Sequence, residues 1–496
     1  MRKCKEYRTL SGTGNNRKHS EYGTTNQPLL RIVGSDYADG YGSPSGSSRS
    51  SARLISNICA NQINVTPNKK GASNIFWLYG QLQDHTFSLV DTHDEPFNIP
   101  VPKGDPFFDP ESTGDKVINM NRSEYLEGTG VSGTPRAYNN ILSSFIDGSN
   151  IYGSTEERNN YIRTFKYGLL KESHGHMLPI TDNQQPNAGS DLSAVFLAGD
   201  IRANEHIGLT AIHTLFVREH NYWCSKIRKY YSRMKDEKIY QTAKVIVEAE
   251  IQAITFREFL PLLLGRSGIR KYSGYNCEVN PQISNLFSVC CYRLHFLIPS
   301  RVLKDNNLKN LFFRSYLMGN KYDLEYIFKY FIKYPCNRSA GTFVSDLRNF
   351  LFGDPGQGGH DLCALNVQRG RDHGLPDYNT TRVELGLTKK NSFDEVSSNQ
   401  GVAATLEEAY GNIDDCDPFI MGINEDKYNS SSMLGELFHT VVTDQFSRIR
   451  DGDRFWYENR MNRRQITFIN QQTLSVIIKR NTRLRGVPCN VFKTKR

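Results

Sequence analysis

Gln81, Asp84 and His85 stand three and four residues apart in a stretch whose apolar residues repeat at helical spacing. On a helix those intervals place an amide, a carboxylate and an imidazole on one face. That face is otherwise apolar, and burying polar groups without partners is costly. We interpret His85 as an acid or base histidine aimed into a cavity. The alternative is a core histidine held by hydrogen bonds to its neighbours.

Three other segments carry polar groups that could serve the same chemistry. Arg202 and Glu205, three residues apart at a predicted helix start, form either an exposed ion pair or the charged edge of a site. His295 has apolar neighbours, so it is either a buried metal ligand or a core histidine. The segment 365–374 packs Asn, Arg, Asp and His together, which suits groups that orient a ligand or, alternatively, a charged helix cap.

A short polar segment has the pattern of a cation site. Ser143, Phe145, Asp147 and Ser149 alternate along it, so hydroxyl, main-chain and carboxylate oxygens recur at every second residue. Such oxygens suit a hard cation such as Ca²⁺. The alternative is a turn in which Ser and Asp side chains cap their own backbone.

The elements that must position these residues are predicted to be mainly α-helical, with long loops, little β structure and no internal repeat. Residues 1–70 look irregular, and 95–140 read as a long wrapping loop rich in Pro, Gly and Asp. Helical patterns cover 74–89, about 202–229 with Asp200 as a possible cap, about 236–264, 283–298 ended by Pro299, and 322–334, 341–352, 404–410 and 434–450.

Composition excludes several classes of function. The net charge of +9 is spread over 496 residues without a basic block, so a nucleic-acid partner is not expected. No run of about 18 apolar residues occurs, so no membrane span is expected. The ten cysteines are scattered without a C-x-x-C pair, which argues against a zinc site. The N-terminal residues lack an apolar signal segment.

Several motifs together resemble one family. GQLQDH (80–85), DPFFDP (105–110), SFIDGSNIYGS (144–154), FLAGDIRANE (196–205), REHN (218–221) and ALNVQRGRDHG (364–374) occur in order nearly from end to end. The chain resembles the animal haem peroxidases. The resemblance implies haem between a distal and a proximal helix, in a catalytic domain over residues 71–496 that an arm of residues 1–70 wraps.

The resemblance assigns roles to the residues of the first stretch and its partners. His85 resembles the distal histidine, which takes a proton from one oxygen of H₂O₂ and delivers it to the leaving oxygen. Arg202 resembles the distal arginine, which stabilises the developing charge. Gln81 would hold a distal water or an anionic substrate. Asp84 and Glu205 match the two carboxylates that family members can ester-link to haem b.

The same resemblance implies residues that hold haem and calcium. His295 resembles the proximal iron ligand, with Asn366 as its hydrogen-bonding partner and Arg369 and Arg293 near the propionates. The residues that match the family's calcium loop, together with the position after the distal histidine, are Ser143, Phe145, Asp147, Ser149 and Thr86. Relatives have an aspartate in place of Thr86, so we expect a weaker cation site.

The chain departs from the family at other positions. Arg293-Leu294-His295 is one residue shorter than the family's Arg-x-Gly-His, which on a helix turns Arg293 by about 100° relative to His295. We expect either a local distortion or a lost propionate contact. His206 stands where one relative has a haem-bonded methionine, so that link cannot form. Several family half-cystines are also absent.

The resemblance implies a secreted, haem-dependent peroxidase that reduces H₂O₂ and oxidises a halide by two electrons or a phenol such as tyrosine by one. The alternative is a peroxidase-fold protein of impaired catalysis that acts in binding or in the extracellular matrix. A third possibility is a fatty-acid dioxygenase of the cyclooxygenase branch, but no amphipathic membrane-inserting segment is evident. The sequence leaves the oligomeric state open.

Overall fold

The computed structural model describes residues 6–62, 66–182, 184–188, 195–338 and 340–494. Helices dominate, so the prediction of a mainly α fold with little β structure is confirmed. The helices are α1 (Ala52–Cys59), α2 (Asn74–Phe87), α3 (Ser149–Tyr152), α4 (Glu156–Ile162), α5 (Ile207–Tyr230), α6 (Asp236–Ile254), α7 (Leu260–Leu263), α8 (Leu317–Asn320), α9 (Leu324–Lys333), α10 (Ser345–Arg348), α11 (Leu362–Asp372), α12 (Tyr378–Glu384), α13 (Phe393–Val396), α14 (Gln400–Tyr410), α15 (Pro418–Asn424), α16 (Glu436–Asp451), α17 (Tyr457–Arg460), α18 (Arg463–Asn470) and α19 (Leu474–Asn481).

The strands of the described residues are short and form three separate antiparallel pairs: β1 with β6, β2 with β5 and β3 with β4. Their bounds are β1 (Gln27–Pro28), β2 (Thr92–Pro96), β3 (Ile99–Pro100), β4 (Val117–Ile118), β5 (Asn121–Ser123) and β6 (Asn139–Asn140). Four of the six strands therefore lie in the stretch 92–123, most of which belongs to the long loop predicted over 95–140. No helix in the described part of the chain is long and apolar enough to cross a membrane.

Helix α2 lies in the interior, as its apolar spacing predicts. It packs against α3, α5 and α9, and most of its side chains are buried. The Tyr79 hydroxyl pairs with the Thr255 hydroxyl at 2.9 Å, and the Phe76 and Phe259 rings pack at 4.8 Å. These contacts fix the rotation of α2 about its axis, so the face that carries Gln81 and Asp84 points into a cavity.

The predicted start of α5 is wrong. The helix begins at Ile207 rather than near Arg202, and the His206 side chain accepts a hydrogen bond from the Leu209 amide as its cap. Before it, Asp200 accepts from the Arg202 amide at 2.8 Å, which folds the segment into a turn that Asp and Asn favour. Arg202 therefore lies on a turn, and its position relative to Glu205 is not set by the spacing of a helix.

The predicted helix over 283–298 is also wrong. Its helical part ends in a π-helical turn, Phe287–Cys291, and His295 begins a separate 3₁₀ turn, His295–Leu297. The Arg293 guanidinium donates to the Ser288 carbonyl oxygen at 2.8 Å. This bond gives a partner to a carbonyl group at the C-terminal end of the helical segment. His295 thus reaches the cavity from a turn rather than from a helix.

Other helical predictions differ in extent. The stretch 341–352 forms only the short α10, and the predicted helix over 236–264 is interrupted by a π-helical turn, Thr255–Phe259, before α7. Gly265 follows with φ +90°, the left-handed conformation that ends helices. Within the first 70 residues, α1 packs against α11 and α14, so this part of the chain contributes to the core.

Candidate active site

A cavity of about 230 Å³ lies between α2, the turn before α5 and the turn at His295. Its polar side chains come from three distant parts of the sequence. The polar side chains that line it are Gln81, Asp84, His85, Arg202, Glu205, His206, Arg293 and His295. All of these except His206 belong to the site predicted from the sequence.

A second cavity of about 260 Å³ adjoins the first. Asp84, Arg202 and Arg293 line both cavities, and Asn366 and Arg369 line the second. Apolar side chains form one side of the first cavity, whereas three arginines edge the second, and two of these, Arg202 and Arg293, also line the first. Together they form a slot with one apolar part and one cationic part.

Asp200 anchors the arginine of the first cavity. Its carboxylate accepts from Arg202 Nε at 3.0 Å and from a terminal guanidinium nitrogen at 2.8 Å. Two further N–H groups of Arg202 donate to the Ser88 and His85 carbonyl oxygens, at 3.1 and 3.3 Å. Burial opposes ionisation of the carboxyl, but the Arg202 guanidinium holds the pKa of Asp200 well below its usual value. Arg202 is thus a fixed cation at the cavity wall.

His85 is neutral in this environment. Burial, and then the nearby Arg202, lower the pKa of its imidazole well below the usual value. Its Nδ1 lies 3.5 Å from Asp200 Oδ1, and its Nε2 lies 4.0 Å from Glu205 Oε2. A neutral imidazole that faces a cavity can accept a proton from a bound molecule and return it.

Gln81 connects two residues of the turn before α5. Its Nε2 donates to Glu205 Oε2 at 2.8 Å, and its Oε1 pairs with His206 Nε2 at 2.8 Å. Burial raises the pKa of Glu205 to about 7, although Arg202 opposes the shift. The carboxyl group therefore titrates near neutrality.

His295 faces the cavity from the opposite side. Its Nδ1 lies 3.1 Å from the Asn366 amide nitrogen, and among the described residues its Nε2 has no hydrogen-bonding partner. Burial, then Arg293, lower the pKa of His295 to about 3, so the ring is neutral. A neutral imidazole can bind a metal through a free Nε2 when its Nδ1 carries the ring hydrogen.

Comparison with known proteins shows which family this chain belongs to. Residues 7–492 match the family model described as animal haem peroxidase. The chain belongs to this family. Peroxinectin A of Dictyostelium discoideum is 32% identical over 524 residues, which cover 98% of this chain and 96% of that protein.

Solved structures agree with the family. Peroxidase A from Dictyostelium discoideum matches with a TM-score of 0.91 at 30% identity, over 99% of this chain and 100% of that chain. A fatty acid alpha-dioxygenase from Oryza sativa matches with a TM-score of 0.80 over 96% of this chain and 84% of that chain. Its 21% identity shows a shared fold alone. Membership of the peroxidase family implies haem as the cofactor.

The slot formed by the two cavities fits haem. Its apolar part matches a macrocycle, and its cationic part matches the two propionates. Arg369 is held by the Ser123 hydroxyl at 2.9 Å and by Asp372 at 2.7 Å, so its guanidinium is fixed at the cavity edge. Asp84 lies where both cavities meet. Burial raises the pKa of its carboxyl, although Arg293 opposes the shift.

The predicted cation loop brings its oxygens together. Asp147 accepts from the Ser143 hydroxyl and, at 2.9 Å, from the Ser149 amide. The Ser149 hydroxyl donates to the Thr86 carbonyl oxygen at 2.6 Å. The Thr86 hydroxyl donates to Leu82 O, so only its lone pairs remain for a cation. The Phe145 side chain is fully buried. Asp147 is the one carboxylate that these residues supply.

Besides His206, two groups of lining residues were not predicted as site residues. Tyr292 lines the cavity three positions before His295, and its hydroxyl lies 3.4 Å from the Gly80 carbonyl oxygen. Apolar side chains complete the wall, including Leu308, Phe312, Leu347, Leu351, Phe352 and Leu362. Tyr292 could have been found as the phenol nearest His295 in sequence. The apolar residues carry no motif that separates them from the core.

Proposed function

We propose that the protein is a haem-dependent peroxidase that reduces H₂O₂ and oxidises a halide or a phenolic donor. One observation carries the proposal: a neutral His85 and a fixed Arg202 face His295 across a single cavity. An acid–base group, a cation and a metal-ligand imidazole are the groups that peroxide cleavage at a haem iron requires.

His85 and Arg202 have separate roles in the reaction with peroxide. The neutral His85 imidazole takes the proton from one oxygen of H₂O₂ and returns it to the other, which leaves as water. Arg202, held by Asp200, stabilises the negative charge that develops as the O–O bond lengthens. Bound haem would supply the two electrons for this cleavage.

The residues around the slot would hold the cofactor. His295 Nε2 would bind the iron, and Asn366 would orient the ring. Arg293 and Arg369 would pair with the propionates. The departure from helical geometry at Tyr292 supports this role for Arg293, because the guanidinium reaches both cavities despite the shortened motif.

Other parts of the proposal rest on the family alone or on the loop geometry. Asp84 and Glu205 would be the sites of ester links to haem. Gln81 would contact a distal water or an anionic donor. Thr86 and the loop 143–149 would bind Ca²⁺ weakly, through one carboxylate and several neutral oxygens. Extracellular location follows from family resemblance.

Haem titration followed by turnover tests the proposal. The protein is titrated with haem, and the Soret band and the oxidation of bromide or a phenol by H₂O₂ are measured. We expect stoichiometric uptake, and a fall in turnover of at least about 10²–10⁴-fold in His85→Ala. His439→Ala, on α16 and outside the cavity, is the matched control. Failure to bind one haem would instead favour a binding or matrix protein of impaired catalysis.

Tyr292 favours a second candidate, a fatty-acid dioxygenase. Its phenol lines the cavity beside apolar side chains. Oxidised by H₂O₂ through bound haem, the Tyr292 phenoxyl radical would take a hydrogen atom from an acyl chain. The chain radical would add O₂, and the phenol would return the hydrogen atom to form the hydroperoxide. The rings of Phe87, Phe287 and Phe446 enclose Tyr292 at 4.9–6.0 Å, however, which leaves little room for such a chain. O₂ uptake with a C16 or C18 fatty acid that is lost in Tyr292→Phe, with peroxide turnover retained, would favour this candidate.

A further inference from the structure

The hydrogen bonds of His206 define which of its nitrogens carries the hydrogen. His206 is the cap of α5, and its Nδ1 lies 3.2 Å from the Leu209 amide, which is a donor. Nδ1 therefore accepts and is unprotonated. Burial keeps the ring neutral, because it lowers the pKa of His206 to about 3. The single ring hydrogen is consequently on Nε2.

This hydrogen fixes the orientation of a neighbouring amide. The Nε2–H of His206 donates to Gln81 Oε1 at 2.8 Å. At its other end the amide donates from Nε2 to Glu205 Oε2 at 2.8 Å. A Gln81 amide turned by 180° would place two donors against each other at His206, and two acceptor oxygens against each other at Glu205 whenever that carboxyl is ionised.

His206 itself has little freedom to move. It is 4% exposed, and its ring packs against Trp77 with 5.4 Å between centroids. The cap bond ties the other side of the ring to the first turn of α5. A rigid donor can hold a mobile glutamine side chain in one rotamer and one amide orientation.

We infer that His206 is a positioning residue that makes Gln81 a hydrogen-bond donor in the active-site cavity. The carbonyl oxygen of the amide is occupied by His206, and the NH₂ group keeps one hydrogen beyond the bond to Glu205. Among the described residues no second acceptor for this NH₂ group is found. The site therefore selects ligands that accept a hydrogen bond, above all small anions. The inference rests on the proposed haem peroxidase function for its ligand.

Two variants separate positioning from capping. His206→Asn retains a side-chain acceptor for the Leu209 amide, because Asn is a favoured cap, but it is too short to reach Gln81. His206→Ala loses both interactions. The probe is fluoride, titrated spectroscopically into the ferric haem protein, with the melting temperature measured in parallel.

We expect both variants to weaken fluoride binding by about fivefold, the effect of one lost hydrogen bond. Only His206→Ala should also lower the melting temperature, by a few degrees. In a Gln81→Leu background His206→Asn should cause no further loss of affinity. Unchanged fluoride affinity in His206→Asn, or an undiminished effect in the Gln81→Leu background, would overturn the inference.

A second measurement does not require haem or turnover. The ¹⁵N resonances of histidine-labelled protein report the tautomer of His206. The His206 resonances are assigned as those that disappear in His206→Asn. We expect the Nε2–H tautomer in the haem-free protein. The Nδ1–H tautomer would refute the inference even in an active peroxidase. Conversely, lack of peroxide turnover with the Nε2–H tautomer and the fluoride effect intact would refute only the proposed function.

Discussion

The Asn366 amide lies 3.1 Å from Nδ1 of His295, although 71 positions separate the two residues in the chain. The contact is made through the amide nitrogen, which leaves Nδ1 as the acceptor. For Nε2 to bind a metal, Nδ1 carries the hydrogen and donates to Asn366 Oδ1, which a 180° turn of the amide brings to the same place. Metal binding at His295 would thus select one orientation of the Asn366 amide.

The pairing predicts that Asn366 controls haem affinity. Asn366→Ala should weaken haem binding by about 10–100-fold, because the His295 ring loses the partner that orients it. Asn366→Asp should retain binding, since a carboxylate also accepts from Nδ1–H. Haem titration at the Soret band measures both effects. Asn379→Ala, which removes a buried amide from α12, is the control, and an Asn366→Ala protein with the same affinity as that control would contradict the prediction.

Asp200 should be essential to the reaction with peroxide. Asp200→Asn removes the charge that holds Arg202 and faces His85 Nδ1. We expect the rate constant for the reaction with H₂O₂, measured by stopped-flow absorbance, to fall by about 10²-fold or more. Asp236→Asn, which weakens a partly exposed pair with Arg163, should leave the rate unchanged. Similar rates in the two variants would mean that Arg202 needs no anchor.

Glu205 should make stability fall as the pH rises. Its carboxyl has a usual pKa of 4.5, and burial raises the pKa to about 7 in the folded protein. The stabilisation from its proton is therefore complete below pH 4.5 and is lost as the pH rises through 7. The free energy of unfolding of the haem-free protein should fall by about 2–3 kcal/mol from this group.

Urea denaturation at pH 5 and pH 8 measures this difference. Glu205→Gln should reduce the pH dependence by that amount, because glutamine does not titrate. Glu237→Gln, at an exposed position on α6, should leave it intact. An identical pH dependence in Glu205→Gln and the parent protein would show that Glu205 is ionised throughout.

Thr86 should set the strength of the cation loop. Thr86→Asp adds a second carboxylate beside Asp147, so Ca²⁺ should raise the melting temperature more in this variant than in the parent protein. In EGTA the variant should be less stable than the parent, because two buried carboxylates then repel each other. Thr86→Val keeps the main-chain oxygen and the side-chain shape, and it should respond to Ca²⁺ no more than the parent does. Equal Ca²⁺ responses in all three proteins would exclude a cation at this loop.

Local patterns in the sequence predicted the elements that local forces determine. The apolar spacing of 74–89 predicted α2, which ends at Phe87, and the patterns at 322–334, 404–410 and 434–450 all fall on helices. The pattern over 283–298 predicts a helix through His295, but the structure ends that helix before His295. The break before it depends on the Arg293 side chain turning back to Ser288, which periodicity does not encode.

The sequence by itself determined the family, the mainly α fold and the residue types of the site, because motifs and helical spacing are properties of neighbouring residues. Tertiary structure alone decided which of these residues meet. It placed Asp200 between Arg202 and His85, joined Asn366 to His295, and put His206 against Gln81. It also set the charge states, since the neutrality of His85 follows from burial, and burial depends on every element that surrounds the cavity.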